Sequence, residues 1–361
     1  MRLGTLLTIG IAVTASLLSS APVEDTAVAA PDAAKYGPLY PVRKIEGGPA
    51  RATGMVIRGE YLYALGDGML WIYDISKPNS PQLAGRTGTF PEGRQIAVSG
   101  NVACIAARSH GLFLVDVSNP SEPKRLSRFA TVELATGVDA VESVCFVAER
   151  QYGVECIDIT DPEKPHFLSL TRTPEAQSVI YNSGRIFVGD WAAGQITILD
   201  ASNVRAPRQI AAHPLSGYGD GLAIRGLLCL AATGHHAKTG PEETRKNNGH
   251  SLNLIDISNV RKPQTISTFH FPPFFSRGND FWTVRLSDKI AVAADSHNGV
   301  FLVDISDPRH PKGVGQLQLP QVASPAGGSR PDAVSGIAVA DGVLYLSGVR
   351  SGLFLAEVPA L

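Results

Sequence analysis

The sequence predicts an all-β fold: a seven-bladed β-propeller of four-stranded antiparallel blades, its ring closed by an N-terminal outer strand. Three observations predict it. An apolar run ending in Asp-Ile/Val-Ser recurs along the chain, first at a spacing of 42 residues. Each recurrence sits among four short strand-like runs. The 36 glycines and 25 prolines are scattered through the 361 residues without a collagen-like period, as many short turns between many short strands require.

The recurring pattern reads Leu-Trp-Ile-Tyr-Asp-Ile-Ser at 70–76, Leu-Phe-Leu-Val-Asp-Val-Ser at 112–118 and Val-Glu-Cys-Ile-Asp-Ile-Thr at 154–160, and continues at 196–202, 252–258 and 300–306. Asp74, Asp116, Asp158, Asp200, Asp256 and Asp304 mark it. Seven residues after each stands a proline: Pro81, Pro123, Pro165, Pro207, Pro263 and Pro311. A seventh unit at 353–358 has Glu357 in place of Asp. These residues resemble the LVIVD-repeat family of bacterial and archaeal β-propeller proteins, through the apolar run ending in Asp and the following Asn/Asp-Pro-x-x-Pro. The resemblance covers nearly all of the chain after residue 29 and implies a propeller, with no defined reaction attached. Glu357, the arginines of Asn203-Val204-Arg205 and Asn259-Val260-Arg261, and three insertions depart from the pattern.

Each unit can be divided independently of any family. In the second, the runs are Ile96 to Val98, Val102 to Ala106, Leu112 to Asp116 and about Arg125 to Phe129, separated by Asn/Gly turns and a Ser-Asn-Pro-Ser-Glu-Pro turn. Four antiparallel strands repeated in this way make a propeller blade. A β-solenoid would have shorter coils, and leucine-rich repeats would show an Asn ladder with helices. The blade count comes from the ends. Tyr40 to Ile45 looks like the outer strands that follow Pro81 and its counterparts but precedes the first blade, while the last unit lacks that strand. Joining the two gives a seventh sheet and removes an exposed edge. Asp74, Asp116, Asp158, Asp200, Asp256 and Asp304 occur in six blades and so cannot share one site; they are expected to accept backbone N–H groups and fix the turn between the third and fourth strands.

Strand direction alternates within a blade. The crossovers between blades and the loops joining strands two and three therefore emerge on one face, and the remaining turns on the other. All three insertions, around 233–248, 269–279 and 320–334, fall on the crossover face, which is expected to be the binding face; neutral drift in exposed loops is the competing explanation. The candidate ligand-binding residues there are Arg94, Arg108, His110, Asp190, Trp191, Asp220, Trp282, Asp295 and Arg350. Thr53, Thr136, Ser178 and Ser335 are expected at the mouth positions of four other blades. His235, His236 and His297 are the candidate ligands for a divalent metal, although a His-His pair followed by a charged run also fits a solvated loop tip. Phe269, Phe271, Phe274 and Phe275 would form an exposed aromatic patch unless the loop packs on its own blade.

Arg2 precedes an apolar stretch from Leu3 to Leu18, which reads as a secretory signal with a cut after Ala29. It is shorter than the roughly 20 residues needed to span a bilayer, and no later segment is long enough. The expected organisation is a signal peptide at 1–29, one propeller domain at 30–361, and export to the periplasm, cell surface or medium as a monomer. Cys104, Cys145, Cys156 and Cys229 lie in apolar runs without metal-ligand spacing and are expected to be buried free thiols.

With 32 Lys+Arg against 33 Asp+Glu, the net charge of −1 excludes nucleic acid as a main partner. No Gly-x-Ser-x-Gly, Walker loop, His-Glu-x-x-His or Cys-x-x-Cys is present. The sequence thus points to a recognition or scaffold module for a protein or carbohydrate ligand. The alternative is a metal-assisted hydrolase, lactonase or lyase with Asp and His side chains over the channel.

Overall fold

A computed structural model describes residues 32–234, 249–272, 283–295, 298–323, 328–359 and 361. The strands form seven four-stranded antiparallel sheets around a ring. Within each blade the strands are here called A to D from the channel outwards. The innermost strands are Ala52–Arg58, Gln95–Ser99, Gly137–Val141, Ala176–Asn182, Tyr218–Arg225, Thr283–Ser287 and Val334–Ala340 for blades 1 to 7. Blade 2 continues with Val102–Ala106, Leu112–Asp116 and Lys124–Phe129, within a residue of the boundaries expected from its sequence.

Strands B and C read as continuous apolar runs because both of their faces are covered by neighbouring blades. Seven apolar clusters fill the seven gaps between blades, for example Ala103, Ile105, Phe113 and Val115 of blade 2 against Tyr63, Leu65, Leu70 and Ile72 of blade 1. Cys104, Cys145, Cys156 and Cys229 are free and buried in these layers. Cys145 faces Ile157 and Cys156 faces Phe146 in the register of their hairpin, so the two thiols point to opposite faces.

The repeating aspartates do what the turn needs. Oδ1 of Asp74, Asp116, Asp158, Asp256 and Asp304 accepts the N–H two residues on at 2.8 Å, and Asp200 does so at 3.1 Å. A second copy of this turn follows at once in five blades, where Asn119, Asp161, Asn203, Asn259 and Asp307 accept from the residue two further on. The buried residue after each Asp sends its N–H to the A–B turn of its own blade, as in Ile75 to Glu60 O and Val117 to Asn101 O, both at 2.8 Å. Opposite the residues just before each Asp, strand D carries a bulge in six blades, which twists the outer edge away from regular pairing.

The turns also join neighbours. The carbonyl four residues after Asp accepts from the preceding blade: Ser127 Oγ donates to Pro162 O, Ser169 Oγ to Val204 O and Ser267 Oγ to Pro308 O, each at 2.6 Å. In blade 1 the corresponding residue is Gly85, where a Cβ would come within 2.4 Å of Pro120 O.

The ring closes as the chain ends require. Arg43–Lys44 pairs antiparallel with Gly352–Glu357 (Arg43 opposite Leu355, Lys44 opposite Phe354), completing blade 7. At the same seam Tyr345 Oη donates to Pro78 O at 2.5 Å. The structure adds a second attachment that the sequence did not suggest. A short helix, Ala33–Tyr36, capped by Asp32, inserts the Tyr36 ring among Phe269 and Phe301 of blades 5 and 6. Gly37 to Tyr40 then runs along the outer strand of blade 6, where Gln316 bonds to Pro38 O, Tyr40 N and Gly37 O at 2.8 Å each. Gly313 and Gly315 make this approach feasible, since a Cβ at either would sit 2.4–2.5 Å from Lys35 O or the Tyr40 ring. Residues 32–45 therefore clasp blades 5, 6 and 7. No helix among the described residues is long and apolar enough to cross a membrane.

Removing residues 30–46 should lower the melting temperature by several degrees and promote association through the bared edges of blades 6 and 7. Unchanged melting and a monomeric elution profile would contradict the clasp. Asp116→Ala should cost about 0.5–1 kcal/mol in urea unfolding, whereas Asp116→Asn, which keeps the acceptor, should cost less. The backbone N–H of Ser118 holds the Asp116 carboxyl below its ordinary range. This contribution is present above the unfolded value near 4 and is lost as pH falls through the lower folded value.

Candidate functional site

Two regions could carry recognition: the crossover face and the channel it opens into. The crossover face is irregular on one side only. The first insertion is the B–C loop of blade 5, the second is the crossover from blade 5 to 6, and the third is the crossover from blade 6 to 7, so all three rise from adjacent blades. Part of the third is a small hairpin pairing Gln321–Ala323 with Ser329–Pro331. The stem of the first is pinned by Thr233 Oγ1 donating to Gly249 O at 2.9 Å. It is also pinned by the close approach of Gly217, where a Cβ would lie 2.2 Å from Gly234 O. Phe269 and Phe271 belong to the core between blades 5 and 6, Phe271 stacked on Phe301 and Phe269 edge-on to Tyr36, so half of the aromatic run packs inward. Phe274 and Phe275 lie outside the described residues, as do His235, His236, Trp282 and His297.

The remaining candidates come from different blades. Arg94, at the mouth of blade 2, and Arg108, in its B–C loop, are half-buried, and the Arg108 N–H is bonded to Ala135 O. Arg350 is exposed in the B–C loop of blade 7 and donates from Nη1 to Ala323 O at 2.7 Å, tying that loop to the third insertion. Trp191 is half-buried and stacks on Tyr218 of blade 5 with ring centroids 4.7 Å apart. Asp220 lies on strand A of blade 5 and Asp295 ends strand B of blade 6; their side chains fall outside the described part of the structure.

His110 shares a carboxylate with its neighbour. Its Nδ1 lies 3.3 Å from Glu92 Oε2 and 3.3 Å from Ser109 Oγ, while the Ser109 hydroxyl donates directly to Glu92. This is not a nucleophilic relay, because one ring nitrogen cannot both take the Ser109 proton and donate to Glu92.

Asp190 is fully buried rather than presented to a ligand. It accepts from Glu175 N at 3.3 Å and from Thr197 Oγ1, fixing the crossover into blade 4. Glu149 holds the equivalent place in blade 3, accepting from Glu133 N at 2.9 Å, with its other oxygen buried and without a partner. Asp67 and Asp332 bind crossover or loop N–H groups in blades 1 and 7. Burial pushes the Glu149 carboxyl up to about 8, against the Glu133 N–H and with help from the nearby Glu155 charge.

The small hydroxyls at the channel mouth are ties between blades. Thr53 Oγ1 donates to Gly93 O at 2.7 Å, Thr136 Oγ1 to Ala176 O at 2.9 Å, and Ser335 Oγ to Ala52 O at 3.1 Å. In blade 4 this place belongs to Gln177. Gln177 stands five residues before the last A–B pair, as Thr136 does in blade 3, and Ser178 lies one step deeper in the channel, so its assignment to the mouth is corrected.

Below the mouth, the inner strands enclose a cavity of about 480 Å³. Sequence reasoning missed its three charged residues: Asp139 of blade 3, Arg285 of blade 6 and, exposed at the end of the inner strand of blade 1, Arg58. A signal was present for Asp139 and Arg285: a charge inside an inner strand at a position held by apolar residues elsewhere. Asp139 accepts from Ala140 N on Oδ1 at 2.9 Å and from Tyr181 N on Oδ2 at 2.8 Å. Among the described residues, Arg285 donates once, from Nη1 to Val284 O at 2.9 Å. Its side chain is accessible, yet protein surrounds the guanidinium, because the accessible surface is channel wall. Burial pushes the Asp139 carboxyl up, opposed by the Tyr181 and Ala140 N–H groups and by Arg285. It pushes the Arg285 guanidinium down, opposed by Asp139. No group of three His, Cys, Asp or Glu side chains among the described residues is placed to hold a metal ion.

Seven interlocked blades around an open channel define a β-propeller whose two faces differ in regularity. The family model of the LVIVD repeat matches residues 49–89, 92–131 and 279–318; the chain thus carries three LVIVD repeats, consistent with an LVIVD-repeat family protein. Among solved structures it is similar to the RRP9 WD40 repeats, at 9% identity and a TM-score of 0.64, over 91% of this chain and 99% of that one. It is also similar to U3-55K, at 9% identity and a TM-score of 0.65, over 91% and 100%. The computationally designed Ika8 protein is similar at 10% identity and a TM-score of 0.58, over 87% and 98%. Likeness at this identity shows the fold alone. No curated protein matches the chain.

Glu149 makes a pH test of this face. The folded protein keeps the Glu149 proton up to about pH 8, whereas the unfolded chain releases it near pH 4.3. Its contribution to stability is therefore full below about pH 4 and is lost as pH rises towards 8. Glu149→Gln should flatten the fall in stability between pH 5 and 8, measured by urea unfolding at both. Parallel pH profiles for the two proteins would show that the carboxyl is ionised in the fold.

Proposed function

We propose that the chain is an exported recognition or scaffold propeller that binds a protein or carbohydrate ligand through its crossover face, over blades 5 to 7. The asymmetry of the faces carries this reading. One face is built from six near-copies of a single turn, while the other concentrates all three insertions on adjacent blades. A rigid ring presenting variable loops is the arrangement by which a fold without chemistry of its own acquires specificity. Around the same rim Arg94, Arg108, His110 and Arg350 supply donors, and Trp191 supplies an aromatic surface. Residues 1–29 act as the export signal, and 30–361 form one domain. The hydrolase alternative rests on Asp220, Asp295, His235, His236 and His297, whose side chains lie outside the described part of the structure, and no observation in the described residues favours it.

The test is a glycan array and a defined panel of extracellular proteins applied to the intact protein, followed by variants. Deleting residues 237–248 or introducing Trp191→Ala should weaken a detected interaction about tenfold or more, with melting unchanged, while Lys77→Glu and Lys124→Glu on the opposite face should not. Loss of binding in the opposite-face variants alone would place the working surface there. N-terminal sequencing of exported protein should begin at Ala30.

A further inference from the structure

One level inside the channel carries two opposite charges that do not touch. Counting back two residues from the last A–B pair of each blade gives Val56, Ala97, Asp139, Ile180, Ala223, Arg285 and Ala338. Five are apolar, and the two exceptions stand in blades 3 and 6, the largest separation a seven-membered ring allows. Among the described residues, neither makes an ion pair.

We propose that the channel is a binding site for a small zwitterionic organic molecule, its carboxylate held by the Arg285 guanidinium and its ammonium group by Asp139. Among the described residues Arg285 uses one of its five N–H donors, on Val284 O, and a planar carboxylate fits the guanidinium fork in bidentate fashion. Each Asp139 oxygen accepts one backbone N–H and retains a further lone pair for an ammonium group. The level between them is lined by Val56, Ala97, Ile180 and Ala223, which suit a short alkyl spacer. Gln95, Ser178 and Thr283 line the level above and offer hydrogen bonds there; the Ser178 hydroxyl is buried without a partner. About 480 Å³ is the size of an ordinary small-ligand site. Two unlike charges held apart across an apolar gap favour a ligand with both charges, because a singly charged one engages only one of the two groups. The site is bounded by inner strands, so it stands independently of the crossover-face reading.

The experiment is calorimetric titration of the full chain with γ-aminobutyrate and 6-aminohexanoate, using hexanoate and hexylamine as singly charged controls. At least one amino acid should bind about tenfold or more tightly than both controls. Arg285→Gln should abolish that binding with an unchanged melting temperature, and Arg285→Lys, which keeps the charge without the fork, should weaken it. Asp139→Asn should bring the amino acid and hexanoate to similar affinity. Equal binding of zwitterion and controls, full affinity in Arg285→Gln, or no binding of either amino acid up to about 10 mM would overturn the proposal.

Discussion

A carboxylate oxygen held 2.8 Å from the amide two residues on is the contact from which the ring follows. It fixes the turn between strands C and D. The next residue can then bury its side chain and send its N–H to the A–B turn, and the carbonyl four residues on can meet the neighbouring blade. The repeated Asp thus links sequence pattern to packing within and between blades. The exception supports the cause. In blade 7 the fourth strand comes from the other end of the chain, no C–D turn is made, and the position holds Glu357. Val358 still bonds to Gly342 O, because the anchor to the A–B turn is needed with or without the turn beyond it.

This requirement also separates the faces. Turns that hold blades to one another cannot lengthen or change composition without loosening the ring. Crossovers and B–C loops carry a lighter load, since Asp67, Glu149, Asp190 and Asp332 secure their bases from beneath and leave the tips free to vary. The clasp of residues 32–45 acts in the same sense. It crosses the outer edges of blades 6 and 7, next to the irregular sector, where a ring joined end to end is otherwise most easily opened.

The fold was legible because its determinants repeat. Asp74 to Asp304, the prolines behind them and the orphan strand at Arg43 and Lys44 gave blade number, strand order and closure without reference to side-chain geometry. The site was less legible because its residues occur once. Asp190 has the composition of a ligand contact, but its carboxylate is committed to Glu175 N and Thr197, which becomes apparent only when the crossover is in place. Ser178 was set one step too high, since the B–C hairpin of blade 4 (Arg185 opposite Asp200) is one residue longer than that of blade 3 (Val144 opposite Asp158) and shifts a count taken back from the repeated Asp. Tyr36 lies outside any repeat, and its partners Phe269 and Phe301 are far away in sequence. Asp139 and Arg285 were readable in principle, as charges at an apolar position of the inner strand, but they stand in different repeats and become a pair only when the ring closes.

The channel is where such exceptions are most informative. At blade interfaces a charge would be removed from water on both sides, and the cost of desolvation keeps most of those positions apolar, with buried Glu155, Thr197 and Asn253 as exceptions on strand C of blades 3, 4 and 5. Inner strands present an unpaired edge to an accessible cavity, so an apolar residue there is not demanded by packing to the same degree. Folding gives Asp139 one role, the tie to Tyr181 N of blade 4, and leaves Arg285 with a bond to its own strand only. Both side chains face the accessible channel, and neither makes an ion pair among the described residues. An arrangement that places two opposite charges across a gap lined by methyl groups is explained when a third molecule carries the complementary charges.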